Sequence, residues 1–312
     1  MIEGQEDVSW GQWLAIGDAC EKHGIEGLYR SDHYSSVQGR TERGSLDAWA
    51  TLAGLAVTTT RIRLGTLVSP ATFRHPSVLA RTAATVDHIS EGRVVLGLGA
   101  GWFTDEHRTN GFTFPPARDR IEILAEQLEI VHRQWTTEEP FDFTGKHYML
   151  RSSDARPKPV QHPHPPIIVG GSGGAQSCGL AARWGDEYNT TFPTLEQCRE
   201  RRGRVLDALR AHGRDESSLR FSIMTGIVGG STEKELESRA RRIMESSRKS
   251  GDPREWLDGL SPQWVIGTTD RVVERLGELE EAGVDGVMLQ LQLHTDLDLV
   301  TWLGEEIGPK VA

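Results

Sequence analysis

The chain has 312 residues, 26% of them charged and 37% hydrophobic, with a formal net charge of −10. These proportions suit a soluble protein with a large core, and the acidic balance argues against a nucleic-acid surface, which needs a basic stripe. Cys20, Cys178 and Cys198 are scattered and lack metal-ligand spacing, the acidic start is unlike a signal peptide, and no apolar run approaches the ~20 residues of a membrane helix. The expectation is a cytoplasmic protein with reduced thiols and no bound metal.

Met1–Gly4 reads as the tail of a strand. Ser9 with Gln12 forms a capping-box pattern opening a helix to about Lys22, which Gly24 ends. Ile25–Arg30 is a strand that delivers Ser31-Asp32-His33-Tyr34, and Ser45 caps a helix over 46–58. The unit repeats: Ile62–Val68 leads into Ser69–His75, and Pro76 starts a helix with Val78, Leu79, Thr82, Ala83, Val86 and Ile89 on its apolar face. Gly92 stops it, Val94–Gly99 is the next strand, and a loop runs from Ala100-Gly101-Trp102-Phe103 to Pro116. Ile121, Leu124, Leu128 and Val131 then stripe a long helix.

Residues 137–166 break the rhythm with a hairpin (141–143 and 147–150) and a Pro-rich return, an insertion over one face of a single domain spanning 1–312. Ile167–Gly170 resumes it as a short buried strand, followed by a helix over 175–184. Further strands are expected at 187–190, 219–228 and 286–291, and helices at 195–212, 232–250 and from Thr269, with a closing helix to about Ile307. Residues 251–268 resist assignment. Eight strands alternating with helices imply parallel pairing and right-handed crossovers, and so a (β/α)8 TIM barrel, with the insertion between strands four and five.

Such a barrel carries its site at the C-terminal ends of its strands. Those ends offer Asp32 and His33, then Thr66, Leu67, Val68 and Thr72, then Ala100, Gly101 and Trp102, then Gly170–Gly174, then Asn189 and Thr191. The run Gly170, Gly171, Ser172, Gly173, Gly174 before a helix is built for a phosphate: glycine lets the backbone approach, and free N–H groups point outward. The plainer reading is a surface turn. Nothing here is a nucleophile elbow, a metal triad or a clustered carboxylate pair, so a phosphorylated cofactor should carry the reaction. A dinucleotide fingerprint at Gly97–Gly101 is weak because no apolar helix starts there.

Four segments make the chain resemble the bacterial-luciferase-like family of flavin- and F420-dependent oxidoreductases. They are Ser31-Asp32-His33; Leu64-Gly65-Thr66 with Thr72-Phe73-Arg74-His75-Pro76; Gly92-Arg93-Val94 to Gly99-Ala100-Gly101-Trp102; and Pro165-Pro166-Ile167 to Gly171. The second is of the kind seen in the F420-using branch. The resemblance implies a barrel with an insertion near strands four and five, and a cofactor phosphate near strands five and six. It also implies a non-proline cis peptide at Leu67–Val68, behind the cofactor ring. Sugar-phosphate-oxidising members have an acid after the strand-four glycines, where this chain has Trp102; that suggests an apolar or aromatic substrate.

His33 is either the general acid/base or a ring that merely hydrogen-bonds the cofactor. Asp32 either orients His33 or contacts the cofactor, Trp102 is a substrate wall or packing, and Arg74 and His75 stabilise a loop. The expected function is hydride transfer between coenzyme F420 and a small organic substrate by a homodimer without nucleic-acid or membrane partners. The alternatives are an FMN-dependent monooxygenase and a non-catalytic phosphate-binding barrel.

Overall fold

A computed structural model describes residues 1–311. Helix α1 (Trp10–Lys22) opens with the expected Ser9–Gln12 capping box. Strand β1 (Gly27–Arg30), α2 (Ala48–Thr58), β2 (Arg63–Thr66), the two-residue β3 (Ser69–Pro70), α3 (Pro76–Ile89) and β4 (Val94–Gly99) follow in the expected order. The cap of α2 is Asp47, not Ser45; the Ser45 hydroxyl instead donates to the His33 carbonyl at 2.7 Å. Between β4 and the long α5 (Ala117–Thr136) lies a helix expected as loop, α4 (Thr104–Asn110).

The insertion is the antiparallel pair β5 (Phe141–Thr144) and β6 (Met149–Ser153), packed on Ile130 of α5. Then come β7 (Ile167–Gly170), α6 (Ala175–Trp184), β8 (Glu187–Thr191), α7 (Leu195–Ala211), β9 (Arg220–Gly230) and α8 (Glu233–Ser246). The unassigned stretch holds α9 (Pro253–Leu260) and β10 (Val265–Thr268), the latter paired with the last four residues of the long β9. Helix α10 (Thr269–Glu281) is preceded by Thr268 as its N-cap residue, while the Thr269 hydroxyl donates to Glu306. Strand β11 (Gly286–Gln290), α11 (Leu297–Trp302), a π turn over Leu303–Ile307 and α12 (Gly308–Val311) complete the chain.

Strands β1, β2, β4, β7, β8 and β9 pair in that order, all parallel, and β11 pairs with β9. Met1 and Ile2 fill the remaining gap. Ile2 N–H donates to Tyr29 O at 2.9 Å and Ser31 N–H to Ile2 O at 3.1 Å, while Leu291 N–H donates to Met1 O at 3.1 Å. The ring is thereby a (β/α)8 barrel whose first strand is two residues long.

Side chains alternate across each strand. Leu96 and Leu98 of β4 join the core under the helices, whereas Val95 joins Leu67, Ile168 and Met224 in a second cluster. On the Val95 face of β4 sit Gly97 and Gly99. A Cβ on Gly97 would lie 2.2 Å from the Thr66 carbonyl oxygen, and one on Gly99 would lie 2.7 Å from Val68 Cγ2. Both glycines are needed for the segment after β2 to turn inward, where the Leu67–Val68 peptide is cis, as the family resemblance implies.

Candidate active site

The C-terminal end of β1 is anchored by a buried cation. Arg30 is fully buried; its guanidinium donates to Thr51 Oγ1 at 2.7 Å and to the Leu46 carbonyl at 2.9 Å, and burial holds its pKa down to about 10. This fixes the next residues. Asp32 accepts from Ser69 Oγ at 2.5 Å and from both terminal nitrogens of Arg74, at 2.5 and 3.1 Å. Arg74 also donates to Tyr34 and Asp47. Asp32 therefore ties the end of β1 to the segment before α3, and Arg74 is its counter-ion, which gives the loop-stabilising reading of Arg74 a specific partner.

His33 is oriented by a residue from another element, so of the two roles read for Asp32, orienting His33 falls to Glu106 instead. Its Nδ1 lies 2.7 Å from Glu106 Oε2 on α4. The other Glu106 oxygen accepts the backbone N–H groups of Tyr34, at 2.5 Å, and Ser35, at 3.0 Å. Glu106 is wholly buried, so its partners are what make its charge tolerable there. Burial pulls the His33 pKa down, but the hydrogen bond and charge of Glu106, with smaller help from Glu3 and Asp32, outweigh it and leave it raised. With Nδ1 committed to Glu106, Nε2 is the nitrogen left for a ligand. Trp102 and Phe103 stand edge-on to the imidazole at 5.7 and 6.1 Å and stack on each other; Trp102 is 63% exposed, so its face is available to a bound molecule.

Across the rim, the glycine run turns tightly into α6. Gly171 N–H donates to Asn189 O at 3.0 Å, and Gly173 N–H donates to the Tyr188 hydroxyl at 2.7 Å. A Cβ on Gly171 would lie 2.5 Å from that hydroxyl, and Gly173, at φ +84°, would place one 2.6 Å from Arg201 Cγ. Gly174 is the N-cap residue of α6 and no side chain caps the helix, so its first N–H groups stay open to a ligand.

The sequence model of the luciferase-like monooxygenase family matches residues 2–286. The chain belongs to this family. Uncharacterized proteins of Mycobacterium tuberculosis and Mycobacterium bovis are 40% identical to it over 192 residues, spanning 57% of this chain and 66% of theirs, just under two thirds of their length. Among solved structures, an F420-dependent secondary alcohol dehydrogenase, in complex with an F420–acetone adduct, superposes with TM-score 0.84 at 20% identity, covering 100% of this chain and 98% of that one. The monooxygenase RslO1 from Streptomyces bottropensis gives 0.84 at 22%, covering 99% and 97%. The coenzyme F420-dependent tetrahydromethanopterin reductase from Methanopyrus kandleri gives 0.82 at 18%, covering 100% and 98%. Identities this low establish the shared fold.

Of the residues expected at the luciferase-like site, several are already engaged. The Thr66 hydroxyl donates to the Gly97 carbonyl at 3.0 Å, and Asn189 Nδ2 donates to Ser222 at 2.8 Å. Leu67 is buried and Val68 packs over Gly97, Gly99 and Gly170. Gly101 takes φ +78° beside Thr72, whose hydroxyl lies 2.6 Å from His107 Nε2. Thr191 is exposed on the rim and Thr190 is buried, its hydroxyl accepting from Arg201. Glu106, Tyr188 and Arg201 were missed. A carboxylate three residues into a short polar helix was the one available signal for Glu106.

No described helix is long and apolar enough to cross a membrane. Asp119, Glu122 and His147 come together on the surface, but the Lys146 ammonium sits among them, 2.9 Å from Asp119 and 2.6 Å from Glu122.

Proposed function

We propose that this protein is an oxidoreductase that moves a hydride between bound coenzyme F420 and a small organic substrate at the barrel mouth. The observation that carries the reading is His33, a largely buried imidazole held toward its protonated form by a buried carboxylate and bordered by an exposed aromatic wall. Adding a hydride to a carbonyl leaves an oxyanion that needs a proton, and the reverse reaction must remove one. A histidine with one nitrogen bonded to Glu106 and the other left without a hydrogen bond can do both.

The residues fit a phosphorylated ring cofactor. The glycine turn leaves no room for a Cβ at 171 or 173, and the uncapped start of α6 offers donors to a phosphate. Gly170–Gly174 would hold that phosphate, Leu67 and Val68 would back the ring, and Ala100, Gly101, Asn189 and Thr191 would line its edges. When bound, the deazaflavin supplies two-electron hydride chemistry and lacks the ring nitrogen through which reduced flavin activates dioxygen. The chain's own work is to orient the ligand, bias His33 toward its protonated form through Glu106, and present Trp102 to the substrate. The two F420-dependent enzymes among the superposed structures support this choice. The equal superposition of a monooxygenase keeps an FMN-dependent oxygenation as the second reading.

Titrating the purified protein with F420, FMN and NADPH, followed by absorbance and fluorescence, separates these. The expected result is saturable F420 binding at least about tenfold tighter than FMN, a difference of about 1.4 kcal/mol. Tighter binding of FMN, with oxygen consumption once it is reduced, would establish the monooxygenase reading instead.

A further inference from the structure

Strand β8 ends in a direction that its own alternation does not give. Along it, Tyr188 packs in the core under the helices and the Thr190 hydroxyl accepts from Arg201 of α7, whereas Asn189 bonds Ser222 inside the barrel. Alternation would send Phe192 outward with Tyr188 and Thr190. Instead its backbone takes φ +46°, its N–H donates to the Met224 carbonyl at 2.8 Å, and it packs against the interior cluster of Leu67, Val95, Ile168 and Met224. A left-handed φ is strained for phenylalanine. Glycine or asparagine would hold the same turn with less strain, so what Phe192 adds at this place is its ring.

A second ring lies beside it. Gly226 of β9, two residues beyond Met224, points inward as Met224 does. A Cβ there would lie 2.3 Å from Trp264 Cδ2, so the absent side chain is what lets the indole cover the inner face of β9. The indole is fixed through its own backbone: Thr225 Oγ1 donates to the Gln263 carbonyl at 2.5 Å, and Trp264 N–H donates to Leu260 O at 2.9 Å. The Phe192 and Trp264 rings stack at 6.1 Å with 28° between their planes. Trp256 stands edge-on to Trp264 at 6.3 Å, with the Lys249 ammonium 5.5 Å from its own ring. Phe192 and Trp264 both stay partly exposed.

Their place in the ring decides what they can do. Counting β1, β2, β4, β7, β8, the strand that carries Phe192 stands four places from the strand that carries His33. In a barrel of eight strands that is the opposite side of the mouth. Trp102 follows β4, midway between them. The cluster that Phe192 joins also holds Leu67 and Val68, the residues read above as backing the cofactor ring.

We infer that Phe192 and Trp264 form the substrate wall across the mouth from His33, and that they select a substrate carrying a flat aromatic ring. An aromatic ring laid offset against them gains more than its buried area, and a saturated ring of the same size does not, a difference of about threefold to tenfold in affinity. The inference rests on the mouth being the site of hydride transfer. Phe192 and Trp264 choose what is bound there, and His33 moves the proton.

Fluorotryptophan incorporated at all nine tryptophans gives each a fluorine NMR signal, and Trp264→Leu and Trp102→Phe assign the two at the mouth. Benzyl alcohol and cyclohexylmethanol are probes of nearly equal size that differ in aromaticity. In wild type, benzyl alcohol should shift the Trp264 and Trp102 signals, bind in the millimolar range, and bind about threefold to tenfold more tightly than cyclohexylmethanol. Trp264→Leu keeps apolar bulk and should cut that preference below about twofold, whereas a merely structural role would weaken both probes alike. No shift at Trp264, equal binding of the two probes by wild type, or a preference that survives Trp264→Leu overturns the inference. If Trp264→Leu does not fold, Phe192→Leu takes its place, and an unchanged preference there overturns it. Binding of F420 is read separately by its fluorescence, so its absence would count against the proposed function and leave the probe result standing.

Discussion

Changing His33 to Ala is expected to lower turnover by roughly 10²–10⁴-fold while cofactor affinity changes little. The reason is positional: the imidazole is aligned by Glu106 and bordered by Trp102, so its loss removes the proton carrier without touching the glycine turn. Glu106→Gln should show the same chemistry indirectly. It keeps the shape of the acceptor but removes the charge that raises His33, so the limb of the pH–rate profile that reports His33 should move to lower pH. The sign carries over to stability. A histidine whose folded pKa is raised stabilises the fold fully below its ordinary range, near 6.5, and loses that contribution as pH rises through the higher folded value. The difference in melting temperature between wild type and Glu106→Gln should therefore be largest at acidic pH and shrink above neutrality. If His33→Ala abolishes cofactor binding while the bound complex turns over normally, His33 is a cofactor ligand and the catalytic assignment fails.

The second large effect concerns the start of α6. An aspartate at Gly174 would put a carboxylate where the phosphate is expected. Two unit charges ~4 Å apart repel by about 4 kcal/mol at an effective dielectric of 20, nearly a thousandfold in affinity. Gly174 is the right position because its φ is −71° and a Cβ there meets nothing nearer than Ser177 Oγ at 3.9 Å. Gly173 is unsuitable, since its positive φ and the crowding by Arg201 would strain even an alanine. Aspartate is also a good N-cap residue, worth roughly a few tenths of a kcal/mol over glycine, so the ligand-free fold should melt no earlier than wild type. Gly174→Ala serves as the control, and its cofactor affinity should stay within a few-fold of wild type. Equal affinity in the Asp and Ala variants would mean that the phosphate lies elsewhere and the glycine run is only a turn.

What could be read from the sequence follows the range of the interactions. The barrel was legible because each unit is local: an apolar run, a glycine stop after the helix, and a cap within a few residues. The Ser9–Gln12 box and Pro76 at the start of α3 are such signals. The partner of His33 was not legible, because Glu106 lies 73 residues away on a short helix with no apolar stripe to announce it. Ser45 looked like a cap because its type and position fit one, yet tertiary contact with the His33 carbonyl took its hydroxyl. Strand β10 escaped because it pairs with an extension of β9 beyond the part that pairs with β8 and β11, a feature that periodicity cannot show. The glycine turn was legible as a close-approach site, but its first donors were not, since Tyr188 claims the Gly173 N–H.

A crystal structure of the protein with F420 bound tests the central claim most directly. The account predicts the deazaflavin ring against Leu67 and Val68, the phosphate on the open N–H groups at the start of α6, and His33 Nε2 facing the substrate side of the ring. A phosphate bound away from Gly170–Gly174, or a ring outside the mouth bounded by His33 and Trp102, would contradict it.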